Sequence, residues 1–385
     1  MTPPPAGADV VVIGGGLVGA SVAYELVTAG ASTVLVDRHD PGRATDAGAG
    51  ILSPETGLDP DPASFAFGVR AARHYESLTA RLVHDGGSDT GFAVTGSLVV
   101  AERPGDDQVM EDAVRLAVGR CPSVEEVDPV EAGRLFPPLG PVRRALYNPA
   151  GRRVDGRVLL GALSRASAVR GLRTIHGGAD GIEVDAGAGT VTAVTTSEGR
   201  VPAGAVVIAG GAWSPELGRS LGVELPVNPL KGQIIHLHLP DCDAGRWPIV
   251  QPVLGFYLVP WPDGRVACGG TMEAGAGYDH RPTADGVLQL LRECLRTAPG
   301  LAPATVVEVR VGSRPSTPDG HPVLGPLPGW SNAFVATGHG AEGLLLGPYS
   351  GMVVARAVLG VEEPEPGERD GAALILGACS PDRFT

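Results

Sequence analysis

The 385 residues exceed what one compact core absorbs, so two domains are expected. With 43% hydrophobic and 19% charged residues and no long biased tract, the composition excludes a disordered chain. The formal net charge of −13 excludes the clustered basic face of a nucleic-acid binder, and no apolar run approaches the roughly 18 residues of a membrane span.

Cys121, Cys242, Cys268, Cys294 and Cys379 are scattered without a CxxC spacing, so no metal or redox site is expected and a reducing cytoplasm fits best. Met1 to Pro5 lacks a basic region followed by an apolar stretch, so no signal peptide is expected. A homo-oligomer is compatible with this composition. With 57 glycines and 35 prolines, a single glycine carries little information, and glycine motifs need supporting context.

Asp9 to Ile13 is a short apolar run that breaks into Gly14-Gly15-Gly16, after which Val18, Val22 and Leu26 recur at helical spacing. A β-branched run over 33–36 then ends at Asp37, completing a strand, helix, strand unit. The pattern predicts further strands at 98–101, 190–195, 205–209, 233–237, 256–259 and 305–311. A last strand at 333–336 breaks at Thr337-Gly338-His339-Gly340, and helical spacing returns over 344–359. A nucleotide domain assembled from both ends and a central segment is therefore expected, with a second domain inserted in two pieces. The Glu-, Pro- and Gly-rich tail from Glu362 onward is expected to be loosely ordered.

Gly14-x-Gly16-x-x-Gly19 sits between strand and helix, where small residues let the backbone approach a pyrophosphate at the helix N-terminus. Ala23, Gly30 at the helix end and Asp37 at the end of the second strand complete the pattern. Asp37 suits a ribose diol and disfavours a phosphorylated ribose. Both FAD and NAD use this fingerprint. The small-residue stretch Arg43 to Leu52 that follows leaves room for a flat cofactor against the backbone.

Four further blocks accompany these residues: Ala209-Gly210-Gly211-Ala212-Trp213-Ser214; Lys231-Gly232-Gln233; Tyr257-Leu258-Val259-Pro260 through Gly264-Arg265 to Gly270-Thr271-Met272; and Arg314-Pro315-x-Thr317-Pro318-Asp319-Gly320 followed by Gly338-His339. In that order they resemble the D-amino acid oxidase superfamily of FAD enzymes, which includes the glycine oxidases and the sarcosine oxidase-like amine oxidases, over nearly the whole chain. The resemblance implies a mixed α/β (α+β) fold. Its Rossmann-like FAD-binding domain would comprise 1–58, 145–222 and 310–375. A substrate domain with a large mixed, mostly antiparallel sheet would comprise 59–144 and 223–309, and 376–385 would be a flexible tail.

The same resemblance implies flavin contacts at Gly14, Gly16, Leu17, Val18 and Gly19, at Asp37 and Arg38, at Ala44 and Thr45, and at Ala49, Gly50 and Ile51. It adds Ala179 beside the adenine, Gly211 and Trp213 beside the cofactor, and the C-terminal loop His339, Gly340, Ala341, Glu342, Gly343, Leu344 and Leu345. The loop departs from the glycine oxidases, which usually carry bulkier residues where this chain has Gly340-Ala341-Glu342. The helix after it points its N-terminus at the flavin, where it stabilises negative charge. Ser316 and Thr317 stand where covalently flavinylated relatives have cysteine, so FAD is expected to be held non-covalently.

Oxidising an α-amino acid at a flavin needs orientation more than acid-base machinery, because the α-hydrogen leaves as hydride. An arginine fork suits the carboxylate. By the resemblance Arg314 takes that role, Tyr257 helps hold the carboxylate and shields the flavin, and Met272 shapes the pocket. No acid-base residue is assigned. His236 and His238 share a strand face without a third ligand, so no metal is expected, and both are read as surface or seam residues. Lys231 is read as structural, Trp213 and Ser214 as packing beside the cofactor, and Trp247 and Trp261 as lining the pocket mouth or filling the second domain.

The function expected is oxidative deamination of a small amino acid or secondary amine such as glycine, sarcosine or a small D-amino acid. O2 is reduced to hydrogen peroxide, the partners are the small amine and O2, and the location is cytoplasmic. Two alternatives stand beside it: a dehydrogenase passing electrons to a quinone or protein acceptor, and a tailoring oxidase for a larger amino-acid-derived substrate.

Overall fold

The run Ala-Asp-Val-Val-Val-Ile forms the strand Ala8–Ile13 at the centre of a parallel sheet, buried on both faces, which accounts for its near-continuous apolar character. The computed structural model describes residues 7–57, 61–86, 89–361 and 375–384. Thr33–Asp37 pairs on one side of the first strand and the second half of Gly199–Ile208 on the other. Arg173–His176 and Ala333–Thr337 extend the parallel ladder outward. Val323–Pro326 closes one edge antiparallel, and Ala179–Asp185 with Thr190–Thr196 forms an antiparallel extension.

Helices Leu17–Thr28, Pro62–Gly86, Gly156–Val169 and Gly343–Leu359 pack together on one face of this sheet. Tyr24, Leu26, Tyr75, Leu78, Leu82 and Leu163 fill that core, each apolar side chain of this size contributing about 1.5–3 kcal/mol on full burial. The first and last of these helices come closest at Gly351. A Cβ there would stand 2.6 Å from Ser21 Cβ and 2.9 Å from the Val22 nitrogen.

A second sheet orders Thr305–Ser316, Asn228–His238, Arg265–Gly269, Tyr257–Pro260, Ile249–Pro252, Ser97–Ala101, Arg144–Asn148 and Glu125–Val127. Every neighbouring pair is antiparallel except Ile249–Pro252 with Ser97–Ala101. The chain is thus the mixed α/β fold expected, with a large, mostly antiparallel second sheet.

The sheets divide the chain somewhat differently from the expected boundaries. Arg144–Asn148 and the whole of Thr305–Ser316 belong to the second sheet, because their ladders continue across residues 145 and 310. Pro62–Gly86, expected with the substrate domain, buries Phe67, Ala71, Tyr75 and Leu82 against the nucleotide-side helices, and the Tyr75 hydroxyl donates to the Leu344 carbonyl. The end of the chain is also packed, where a flexible tail was expected. Ile375 and Cys379 are buried, Leu324 N donates to the Cys379 carbonyl at 2.8 Å, and Arg383 pairs with Asp319 at 2.7 Å. The expectation for 362–374 lies outside the described residues.

Candidate active site

A cavity of about 500 Å³ lies between the two sheets, entered by the turn after the first strand, the segment from Arg43 to Gly57, and the start of the last helix. Its geometry begins with the glycine turn. Gly14 has φ +110°, and a Cβ there would lie 2.4 Å from the Ala209 carbonyl oxygen. Only glycine meets both demands. A Cβ at Gly15 would stand 2.7 Å from the Asp37 carboxylate, and one at Gly19 would stand 1.9 Å from the Gly14 oxygen. Gly19 does not line the cavity; its missing side chain seats the helix on the turn.

Helix Leu17–Thr28 starts from Gly16 with no side chain to cap it, which leaves a first turn suited to an anion. Leu17 N donates to Thr45 Oγ1 at 3.0 Å, tying this turn to the following segment. The Asp37 carboxylate is 8% exposed and lines the cavity. Its Oδ2 accepts from Arg43 Nη1 at 3.0 Å and pairs with His39, while Oδ1 accepts no hydrogen bond from the described residues. Gly50 has φ +83° with its Cβ position 1.7 Å from the Val154 oxygen, so backbone crosses backbone beside the cavity wall.

Leu17, Val18, Arg38, Ala44, Thr45, Ala49, Ile51, Ala179, Gly211 and Trp213 all line this space. So does the loop from His339 through Gly340, Ala341, Glu342, Gly343, Leu344 and Leu345. Trp213 stacks on Tyr278 with centroids 5.1 Å apart, and Ser214 Oγ donates to Thr337 Oγ1 at 3.0 Å. His339 is 3% exposed with Nε2 unpaired, and burial pushes its pKa down to about 4, so it is neutral near pH 7. Helix Gly343–Leu359 opens beside it and presents its positive end to the cavity.

At the other end, on the second sheet, Arg314 Nη1 donates to the Thr271 carbonyl at 2.9 Å. No carboxylate among the described residues pairs with it. A Cβ at Gly232 would stand 2.0 Å from Nη1, so the guanidinium lies flat on that glycine. Arg314 Nη2 and the Tyr257 hydroxyl each approach to 3.1 Å of the Cβ position at Gly270, so the two head groups converge over one small residue. Burial raises the Tyr257 pKa to about 12 despite the facing Arg314 charge, which keeps the phenol protonated and able to donate.

Met272 departs from the expected arrangement. It is 67% exposed and lies off the cavity, because Thr271 N bonds the Gln233 carbonyl and Glu273 N bonds the Lys231 carbonyl. Thr271 turns inward, to accept from Gln233 N, and the alternating residue faces out. Lys231 is buried, 3.4 Å from Glu273, away from the cavity lining. His236 is 3% exposed, not a surface residue, and the described residues contain no metal-ligand cluster. Trp261 is sandwiched by Arg153 and Arg265 at 5.0 and 4.9 Å, and Trp247 packs on Phe136, so both fill the second domain.

Sequence reasoning missed Ser53 and Gln251 among the lining residues. Ser53 Oγ and Gln251 Oε1, like His339 Nε2, are buried without a partner. The signal for Gln251 is a polar residue inside the short run Ile249–Pro252. The orphaned Ser53 Oγ and His339 Nε2 beside a glycine-walled cavity fit a flat, hydrogen-bonding group such as a flavin dinucleotide.

A family profile described as DAO, FAD dependent oxidoreductase, matches residues 9–357. The chain is 36% identical to the uncharacterized oxidoreductase YurR of Bacillus subtilis (strain 168), over 91% of this chain and 94% of that one. It is 33% identical to a glycine oxidase of Pseudomonas putida, over 94% of this chain and 98% of that protein. Among solved structures, iminodiacetate oxidase from Chelativorans sp. BNC1 superposes with a TM-score of 0.87 at 37% identity, over 94% of this chain and 98% of that one. With a match running from the first strand into the last helix, the chain belongs to the DAO family of FAD-dependent oxidoreductases, and FAD is its cofactor.

Proposed function

We propose that this enzyme oxidises a small α-amino acid or secondary amine to its imine, which water hydrolyses to the oxo acid. The observation that carries this reading is the convergence of Arg314, free of any carboxylate partner among the described residues, with the protonated Tyr257 hydroxyl at the substrate-sheet end of the cavity. Similarity to proteins named glycine oxidase and iminodiacetate oxidase supports the same class of substrate.

When bound, FAD would supply the two-electron redox chemistry of the amine oxidation, with O2 as the final acceptor and hydrogen peroxide as its product. The chain's residues do the positioning. Arg314 grips the carboxylate through two charge-assisted bonds, Tyr257 donates a third, and the buried phenol ring keeps water from the reacting carbon. In this reading the turn from Gly14 to Val18 holds the diphosphate, Asp37 the ribose and Ala179 the adenine. Ala49 to Ile51 and His339 to Leu345, which line the cavity, would hold its ring, and the positive end of the helix that begins at Gly343 would favour negative charge there. His339, neutral with its pKa near 4, is too weak a base to take a proton from an ammonium group, so the reacting amine is the unprotonated form.

The test is peroxide release by the purified, FAD-containing enzyme in air with glycine, sarcosine, D-alanine and iminodiacetate. Peroxide from at least one amine is expected. Flavin absorbance without turnover of any amine would sink the proposal, and fast reoxidation only by an artificial acceptor would convert it to a dehydrogenase.

A further inference from the structure

Gln251 has a place in the fold that the reaction above does not use. Val250 pairs with Leu258 across an antiparallel ladder, a register that sets Gln251 opposite Tyr257 on the same face. Both line the cavity, on the substrate sheet and remote from the Asp37 end. The Gln251 side chain makes no hydrogen bond among the described residues, and its Oε1 is buried. A buried carboxamide oxygen left unpaired in this way costs free energy unless a ligand completes it.

The charges around the cavity narrow what that ligand group is. The lining cations are Arg38, Arg43 and Arg314. Arg38 pairs with Asp40 at 3.0 Å, and Arg43 pairs with Asp37 and Asp46, all at the nucleotide end. His339 is neutral near pH 7. Among the described residues Arg314 is therefore the one lining cation free for a substrate carboxylate. A second carboxylate reaching Gln251 would find a single amide and no counter-charge, whereas a hydroxyl or carboxamide finds a donor and an acceptor together.

From this geometry we infer that Gln251 is a specificity-determining residue: the natural amine carries, besides the carboxylate held by Arg314, a neutral hydroxyl or carboxamide arm that lies along the Tyr257 ring and pairs with the Gln251 amide. The inference rests on the proposed oxidation of an amino acid at this site and narrows its substrate class. Selection works mainly against apolar isosteres, which strand the amide.

The experiment compares isosteric pairs on the FAD-containing enzyme: N-(2-hydroxyethyl)glycine against N-propylglycine, and D-asparagine against D-leucine. In the unaltered enzyme at least one polar member should exceed its isostere by about tenfold in kcat/KM, about 1.4 kcal/mol. Gln251→Leu should remove or reverse that ratio while retaining FAD, and Gln251→Asn, which shortens the arm, should reduce it. An apolar isostere preferred by the unaltered enzyme, or a ratio untouched in both variants, overturns the inference. Binding is read separately from turnover with (2-hydroxyethylthio)acetate and (propylthio)acetate, which lack the amine, by perturbation of the flavin spectrum. A binding difference that depends on Gln251, without oxidation of any amine, would overturn the proposed reaction and leave the recognition standing; equal binding overturns the recognition itself.

Discussion

Arg314 holds a full positive charge against a glycine, with one carbonyl for company and no carboxylate within reach among the described residues. Replacing it with methionine keeps the length and removes the fork. Steady-state kinetics should show kcat/KM for the preferred amine falling about 10- to 100-fold, mainly through KM, on the scale of the 1.5–3 kcal/mol of a charge-assisted bond. FAD content should be unchanged, because Arg314 stands at the opposite end of the cavity from the diphosphate turn. Arg314 and Tyr257 were singled out through the resemblance of their blocks to a known family, and both line the cavity. Met272 was misplaced because its direction depends on which neighbour, Thr271 or Met272, turns to bond Gln233. Gln251 was missed because a lone polar residue in a short apolar run gains its significance only from its cross-strand partner, Tyr257.

At the scale of elements, two helices bring their N-terminal ends to the cavity and pack against each other along Gly347 and Gly351. Gly351 meets Ser21 and the Val22 backbone with no space for a side chain. Gly351→Val should therefore force the helices apart, costing about 1–3 kcal/mol by overpacking, and should lower Tm and weaken FAD retention together. Thermal unfolding and flavin content after gel filtration measure both effects; a full complement of FAD at unchanged Tm would refute the account. Nine of the nineteen strands among the described residues were readable from apolar and β-branched runs, and the last helix from its spacing. The placement of Pro62–Gly86 was not, because an amphipathic stripe announces a buried face without naming the surface that buries it. The short packed terminus was missed for a related reason: Ile375 and Cys379 are too few to form a pattern, and they are held by a distant strand, Val323–Pro326.

Across the whole molecule, three histidines are held neutral by burial: His74 at about 4, His236 at about 3 and His339 at about 4. Each lies below the roughly 6.5 of an unfolded histidine, so between those values the unfolded chain binds more protons than the folded one. Their contribution to stability is complete above about pH 6.5 and is lost as pH falls towards 4. Tm should decline from pH 7 to pH 5, before most carboxylates titrate, and the double variant His74→Gln, His236→Gln should flatten that decline. An equal slope in the variant would count against it.

The cavity also bears on the protein's life in a cell. Its walls come from both sheets, so a ligand held there touches both. FAD binds the folded chain and not the unfolded one, and excess flavin should therefore raise Tm by mass action. Where flavin is scarce, more of the newly made chain stays open to proteolysis, so the standing amount of this enzyme would follow riboflavin supply without any regulator of its gene.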